Sequence, residues 1–112
     1  MTMPYLNRKL VLETPRRVPD GAGGYTQSWE SLGELWAEVR SRTGRERAEA
    51  GVTVSSVSYR IVVRGAPHGT AARPMPGQRF REGTRLYVIQ AVAEQDPQAR
   101  YLTCFADEEI VA

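Results

Sequence analysis

The chain has 112 residues, 41% of them apolar, and a net charge of +2. That length leaves no room for a second independent core, so a single domain over 1–112 is expected. One cysteine, Cys104, and one histidine, His68, exclude an intramolecular disulfide and a cysteine-rich zinc site, and disfavour most nucleophile–base pairs.

Further bounds come from the same numbers. No apolar run approaches the roughly 18 residues needed to span a bilayer. "MTMPYLNRKLVLETP" has no apolar segment of signal-peptide type. The expectation is a protein made and kept in a cytoplasm-like compartment, unless it leaves inside a larger assembly, with no membrane partner. All basic residues but Lys9 are arginine. Arginine suits interfaces and phosphate contacts, yet a net +2 spread along the chain does not by itself argue for nucleic-acid binding.

In chain order, "RKLVLETP" alternates like a strand and is expected to stop at Pro15. "RRVPDGAGG" is rich in turn residues and reads as a loop. "YTQSWESLGELWAEVRS" fits a helical 3/4 spacing, but Gly33 weakens a helix. Two extended pieces broken near Ser31–Gly33 are the preferred reading.

The polar stretch "RSRTGRERAEAGVTVSS" follows. Gly44 and Gly51 bracket good helix formers, with i,i+4 pairs at Arg42/Glu46 and Arg45/Glu49. Six residues fall below the ~12–15 at which an isolated helix holds, and no apolar stripe exists to bury. The segment either extends the strands as a flap or stays mobile. Connections of this length in a compact domain are usually functional or disordered.

"VSYRIVVRG" is the clearest strand, with Tyr59, Ile61 and Val63 on one face and Arg60, Val62 and Arg64 on the other. "APHGTAARPMPG" is a Pro/Gly loop. "QRFREGTRLYVIQAVAEQ" reads as a hairpin turning at Glu82–Gly83, and "RYLTCFADE" as a last strand. About six antiparallel strands with a long insertion at 41–56 predict an all-β barrel or sandwich. Its expected core is Leu10, Leu12, Trp36, Val39, Ile61, Val63, Val88, Ile89 and Leu102.

No catalytic constellation is present, so no enzyme and no cofactor is expected. Asp107, Glu108 and Glu109 read as a solvated tail rather than a hard-cation site. His68 reads as a surface loop residue, and Cys104 as a small buried hydrophobe. "GAGG" lacks the context of a phosphate loop. The aromatic residues could form a base-stacking platform, but their alternation beside aliphatics favours core packing.

The order of these features resembles the head–tail joining family of tailed bacteriophages, also called connector or stopper proteins. "LNRKLVLETP" is similar to its opening strand. "DGAGGYTQSWESLGELWAEV" is similar to its block of an Asp-Gly-Gly turn, a Trp and an apolar-Trp-Ala-x-Val run. "SYRIVVRG" and "GTRLYVIQAVAEQDPQARYLTCFADE" match its later strands. "RGAPHGTAARPMPGQRF" departs from the pattern in being richer in Pro and Gly.

The resemblance implies a non-enzymatic stopper-like subunit in the neck of a phage or gene transfer agent particle. Its implied partners are copies of itself in a hexameric ring, a portal-side adaptor, a tail terminator or tail-tube protein, and passing double-stranded DNA read without sequence specificity. The 41–56 loop would line or gate the channel, with Arg42, Arg45, Glu46, Arg47, Glu49, Val52 and Val54 as channel-loop residues. The Pro/Gly loops at 15–24 and 66–78 would meet ring neighbours. The alternatives are another tail-completion or tail-terminator subunit, and a barrel that binds single-stranded nucleic acid.

Overall fold

The computed structural model describes residues 3–49 and 52–111, with 43–49, 52–55 and 109–111 described as backbone alone. Six strands make up the chain: β1 (Arg8–Pro19), β2 (Tyr25–Glu49), β3 (Val52–Arg64), β4 (Arg79–Glu82), β5 (Arg85–Glu94) and β6 (Tyr101–Val111). All neighbours are antiparallel, and the order β1-β2-β3-β6-β5-β4 closes into a barrel when β4 pairs back onto β1. Closure removes the edges of the central sheet.

Two strands run further than the sequence suggests. β1 does not stop at Pro15; it pairs with β2 as far as Pro19↔Tyr25. The Asp20 N–H donates to the Gly24 carbonyl at 3.1 Å. Ladder alternation then puts Pro15, Arg17 and Pro19 at positions that exchange no hydrogen bonds with β2. The prolines therefore cost this ribbon no donor. β4 pairs with β1 only over Val11–Glu13, so beyond that point the prolines lie on an edge, where they are tolerated.

β2 is likewise unbroken over 25 residues. The expected break at Ser31–Gly33 is a bulge instead. Leu12 pairs with Gly33 and Glu13 with Ser31, which leaves Leu32 as the extra residue. Gly33 carries φ 137°, a backbone conformation that L side chains rarely adopt. A second bulge occurs at Arg42, between the pairs Ser41↔Tyr59 and Thr43↔Ser58. Bulges bend and twist a strand. Laid straight at ~3.3 Å per residue, β2 would span about 80 Å, against a longest molecular extent of 48 Å, so it coils through the molecule.

The barrel interior holds Leu10, Leu12, Ala37, Ile61, Val63, Phe80, Tyr87, Ile89, Leu102, Cys104 and Ala106, with Val39 half-buried against them. Two residues expected in the core lie outside it. Trp36 is 55% exposed and Val88 40% exposed. The pleat is the reason: with Leu35 and Ala37 turned inward, Trp36 must point out, and Ile89 excludes Val88 in the same way. Trp36 rests on the surface beneath the Lys9 ammonium, 5.7 Å from the ring centroid.

Cys104 faces inward, and burial pushes its thiol up to about 12, opposed only by the nearby Arg73 charge. Thiolate is the reactive form, so the native protein should resist aromatic disulfide reagents at neutral pH and react fully on unfolding. Fast labelling of the native protein would place Cys104 elsewhere.

The 66–78 loop is ordered by its own bonds. The Thr70 N–H donates to Pro67 O at 3.3 Å, Arg73 Nη1 donates to Ala66 O at 3.0 Å, and the Met75 N–H donates to Gln78 Oε1 at 2.9 Å. Pro74 is fully buried.

Candidate functional site

Beyond the Arg42 bulge, β2 and β3 continue as a hairpin paired to Glu49↔Val52. β6 joins it, pairing with β3 as far as Val54↔Val111. β5 leaves β6 after Val88↔Asp107. The result is a three-stranded flap that passes the mouth of the barrel. The helix formers of 45–49 are thus in strand: pairing along a neighbour outweighs a weak local preference. Ala50 and Gly51 lie outside the described residues.

The root of the flap carries a polar cluster built from the neighbouring strands β3, β6 and β5, joined by β1 and β4 where the barrel closes. Arg85, the first residue of β5, donates from Nε to Glu108 Oε2 at 2.9 Å and from Nη2 to Glu108 Oε1 at 3.0 Å. The same Nη2 donates to the Tyr59 hydroxyl at 3.0 Å, and that hydroxyl donates to Glu108 Oε1 at 3.0 Å. Tyr59 meets Tyr87 edge-on at 5.0 Å. Arg8 pairs with Glu82 and reaches the Tyr87 hydroxyl at 3.2 Å. Ser58 donates to Asp107 at 2.9 Å.

Electrostatics follow from these contacts. The Arg85 hydrogen bonds hold the Glu108 carboxyl below its usual range against the cost of burial, helped by Tyr59. The bond to Glu108 pushes the Arg85 guanidinium further up, so it stays charged. Burial raises both tyrosine hydroxyls, which leaves them neutral hydrogen-bonding groups. The charges of the cluster are satisfied by one another.

At the other end of the barrel the β1–β2 ribbon leaves the core. Glu13, buried to 7% exposure, accepts from Arg79 Nε at 2.8 Å and Arg81 Nε at 3.0 Å. Burial alone would raise its carboxyl, but the two arginines outweigh that and hold it down. The Arg79 guanidinium lies 3.9 Å from the Trp29 ring centroid, and Arg17 lies 4.4 Å from that of Tyr25. The Asp20 carboxylate closes the ribbon tip by accepting from the Ala22 and Gly24 N–H groups at 2.8 and 3.1 Å.

Among the described residues no group of three or more His, Cys, Asp or Glu side chains could hold a metal ion. An open groove of about 400 Å³ runs along the outer face beside Met3, Arg60, Val62 and Phe105. It holds no nucleophile–base pair.

A family model described as "Phage head completion protein" matches residues 1–109. The chain belongs to the phage head completion protein family. Among solved structures, it is similar to a chain of one described as "Virion of native gene transfer agent (GTA) particle". The two are 57% identical, with a TM-score of 0.88, over 98% of this chain and 100% of that one. No match is found among curated proteins.

In this head completion protein, Arg42 sits exposed at the bulge, its guanidinium 5.1 Å from the Phe105 ring centroid, with Arg60 at 5.8 Å. The backbone places Arg45, Glu46, Arg47, Glu49, Val52 and Val54 along the paired arms of the flap; their side chains lie outside the described residues. Sequence reasoning missed the Arg85–Glu108–Tyr59 cluster and read Glu108 as part of a solvated tail. Glu108 is buried, at 6% exposure, whereas Asp107 points to the other face of β6. The available signal was parity: Glu108 shares its face of β6 with Cys104 and Ala106. The side chain of Glu109 lies outside the described residues.

Proposed function

We propose that this protein is a structural subunit of the neck, joining a DNA-filled head to a tail by forming a ring whose flap reaches toward the DNA channel. The observation that carries this reading is the three-stranded flap projecting past the barrel mouth in a member of the head completion family. The similar chain from a gene transfer agent virion supports a particle of that kind as its setting.

Physics supports a gate more than a clamp. Arms of about seven residues reach roughly 20–25 Å, the scale needed to narrow a bore that passes duplex DNA. The flap sequence mixes Arg42, Arg45 and Arg47 with Glu46 and Glu49. A dense basic patch would hold phosphate tightly and oppose passage. The exposed 14–30 ribbon and the 66–78 loop supply surfaces for the adaptor above or the tail terminator or tube below. A single-strand-binding barrel is disfavoured because Phe80 and Tyr87 are buried, Arg79 covers Trp29, and the exposed Trp36 and Tyr25 lie far apart along β2 rather than side by side.

The test shortens the flap without disturbing its register. Arg45 and Ser56 face each other with the same ladder parity as the turn-closing pair Glu49↔Val52, so Glu46–Ser55 can be replaced by an Asn-Gly turn. Particles should then lose nuclease-protected DNA at least ten-fold while the barrel still folds. Joined heads and tails that retain their DNA as before would sink the gate.

A further inference from the structure

We infer that Arg85 is the positioning residue of the flap, tying the start of β5 at the barrel mouth to the flap's root and so setting the angle at which the flap projects. The argument starts from where pairing stops. β5 accompanies β6 only to Asp107. Glu108, paired with Val57 of β3, is the first residue of β6 beyond it. On the other side of the flap, β2 is bulged at Arg42. At one level, therefore, the sheet narrows from a closed barrel to three strands and carries a bulge, which is where a sheet bends. Backbone continuity alone leaves such a root free to flex.

Arg85 spans that gap from β5, the strand beside β6. It follows the tight β4–β5 turn, where Glu82 pairs with Arg85 and Gly83 takes φ 61°. Its two bonds to Glu108 form a bidentate fork, the strongest and most directional form of charge-assisted hydrogen bond. Its third contact, to the Tyr59 hydroxyl, engages β3 as well. One side chain thus grips two of the three flap strands.

The grip is itself braced. The Arg85 guanidinium lies 5.2 Å from the Tyr87 ring centroid. Tyr87 in turn accepts from Arg8, whose partner Glu82 belongs to the same turn. Glu108 is nearly excluded from water, so the fork is screened less than a surface pair. The barrel core proper, Ile61, Val63, Leu102 and Cys104, lies below this level and takes no part. Loosening the tie should therefore free the flap without melting the barrel.

This inference rests on the flap being the functional element, but its test does not require particles. Amide hydrogen exchange is compared in the purified wild type, Arg85→Met, which keeps the aliphatic stem, Arg85→Lys, which keeps the charge but not the fork, and Glu108→Gln. Exchange in 43–58 and 107–111 should rise at least ten-fold in Arg85→Met, less in Arg85→Lys, with under three-fold change in 61–63 and 102–104. Equal loss of protection in flap and core, an unchanged flap, or a wild-type flap with no protection would each overturn the inference. Should Arg85→Met not fold, the near-isosteric Glu108→Gln decides by the same comparison. A flap freed by Arg85→Met in particles that still keep their DNA would support the positioning role and remove the gate.

Discussion

Phe80→Ala is expected to cost about 4 kcal/mol of folding stability, from the lost transfer of the ring and the cavity it leaves. Trp36→Ala, a larger truncation, should cost less than about 1 kcal/mol, the scale of an exposed cation–π contact. Composition alone predicts the reverse, because tryptophan is the bigger apolar group. The pleat decides the matter: Phe80 is fully buried in the short strand β4, where it pairs with Leu12 and Tyr87. Trp36 stands on the outer surface over Lys9. With total stability of about 5–15 kcal/mol for a domain, the first variant is near the limit of folding and the second close to wild type. Urea denaturation of both proteins measures the difference. Similar midpoints for the two would mean that β2 is registered one residue away from the pairing described.

That comparison shows what was legible in the sequence. Alternation in "VSYRIVVRG" placed Ile61 and Val63 inward because a strand has a period of two and nothing interrupts it. The same rule, applied strictly to "LWAEVRS", puts Trp36 outside; hydrophobicity argued against it, and covalent geometry prevails. The continuity of β2 was not legible, since Ser31 and Gly33 signal a break equally well whether they end a strand or bulge it. The extension of β1 to Pro19 was hidden too, because whether a proline breaks a ladder depends on which edge its nitrogen faces.

The flap was legible as a place and not as a shape. A long polar connection between strands marked 41–56, while its helix formers pointed to a conformation that pairing with β3 overrides. The root cluster lay further out of reach. Arg85 and Glu108 are 23 residues apart, and Arg8 and Tyr87 are 79 apart. Pairing of β5 with β6 brings Arg85 to Glu108, and the closure of β4 onto β1 adds Arg8 beside Glu82 and Tyr87. Support for the flap therefore comes from a contact that local sequence cannot announce.

The second large effect concerns Gly65, the last residue of "VSYRIVVRG". Its N–H donates to Arg100 O at 2.7 Å, and a Cβ added there would stand 1.9 Å from the Ala99 carbonyl oxygen. No side-chain rotation relieves a clash between backbone and Cβ. Gly65→Ala must push the 95–100 turn away, and that turn is tightly built. Asp96 accepts from the Arg100 N–H and Nε, each at 2.8 Å, and the Ala99 N–H donates to Asp96 O at 2.9 Å. The expected cost is about 3 kcal/mol, the upper range for overpacking. Its neighbour should respond with the opposite sign. Ala99 takes φ 53°, a conformation that costs an L residue about 1 kcal/mol. Ala99→Gly removes that strain, and greater unfolded-state freedom takes part of the gain back, so a net stabilisation below about 1 kcal/mol is expected. Denaturation midpoints of the two variants should therefore move in opposite directions from the wild type. A Gly65→Ala protein as stable as its parent would show that the β5–β6 turn does not close on the end of β3 as described.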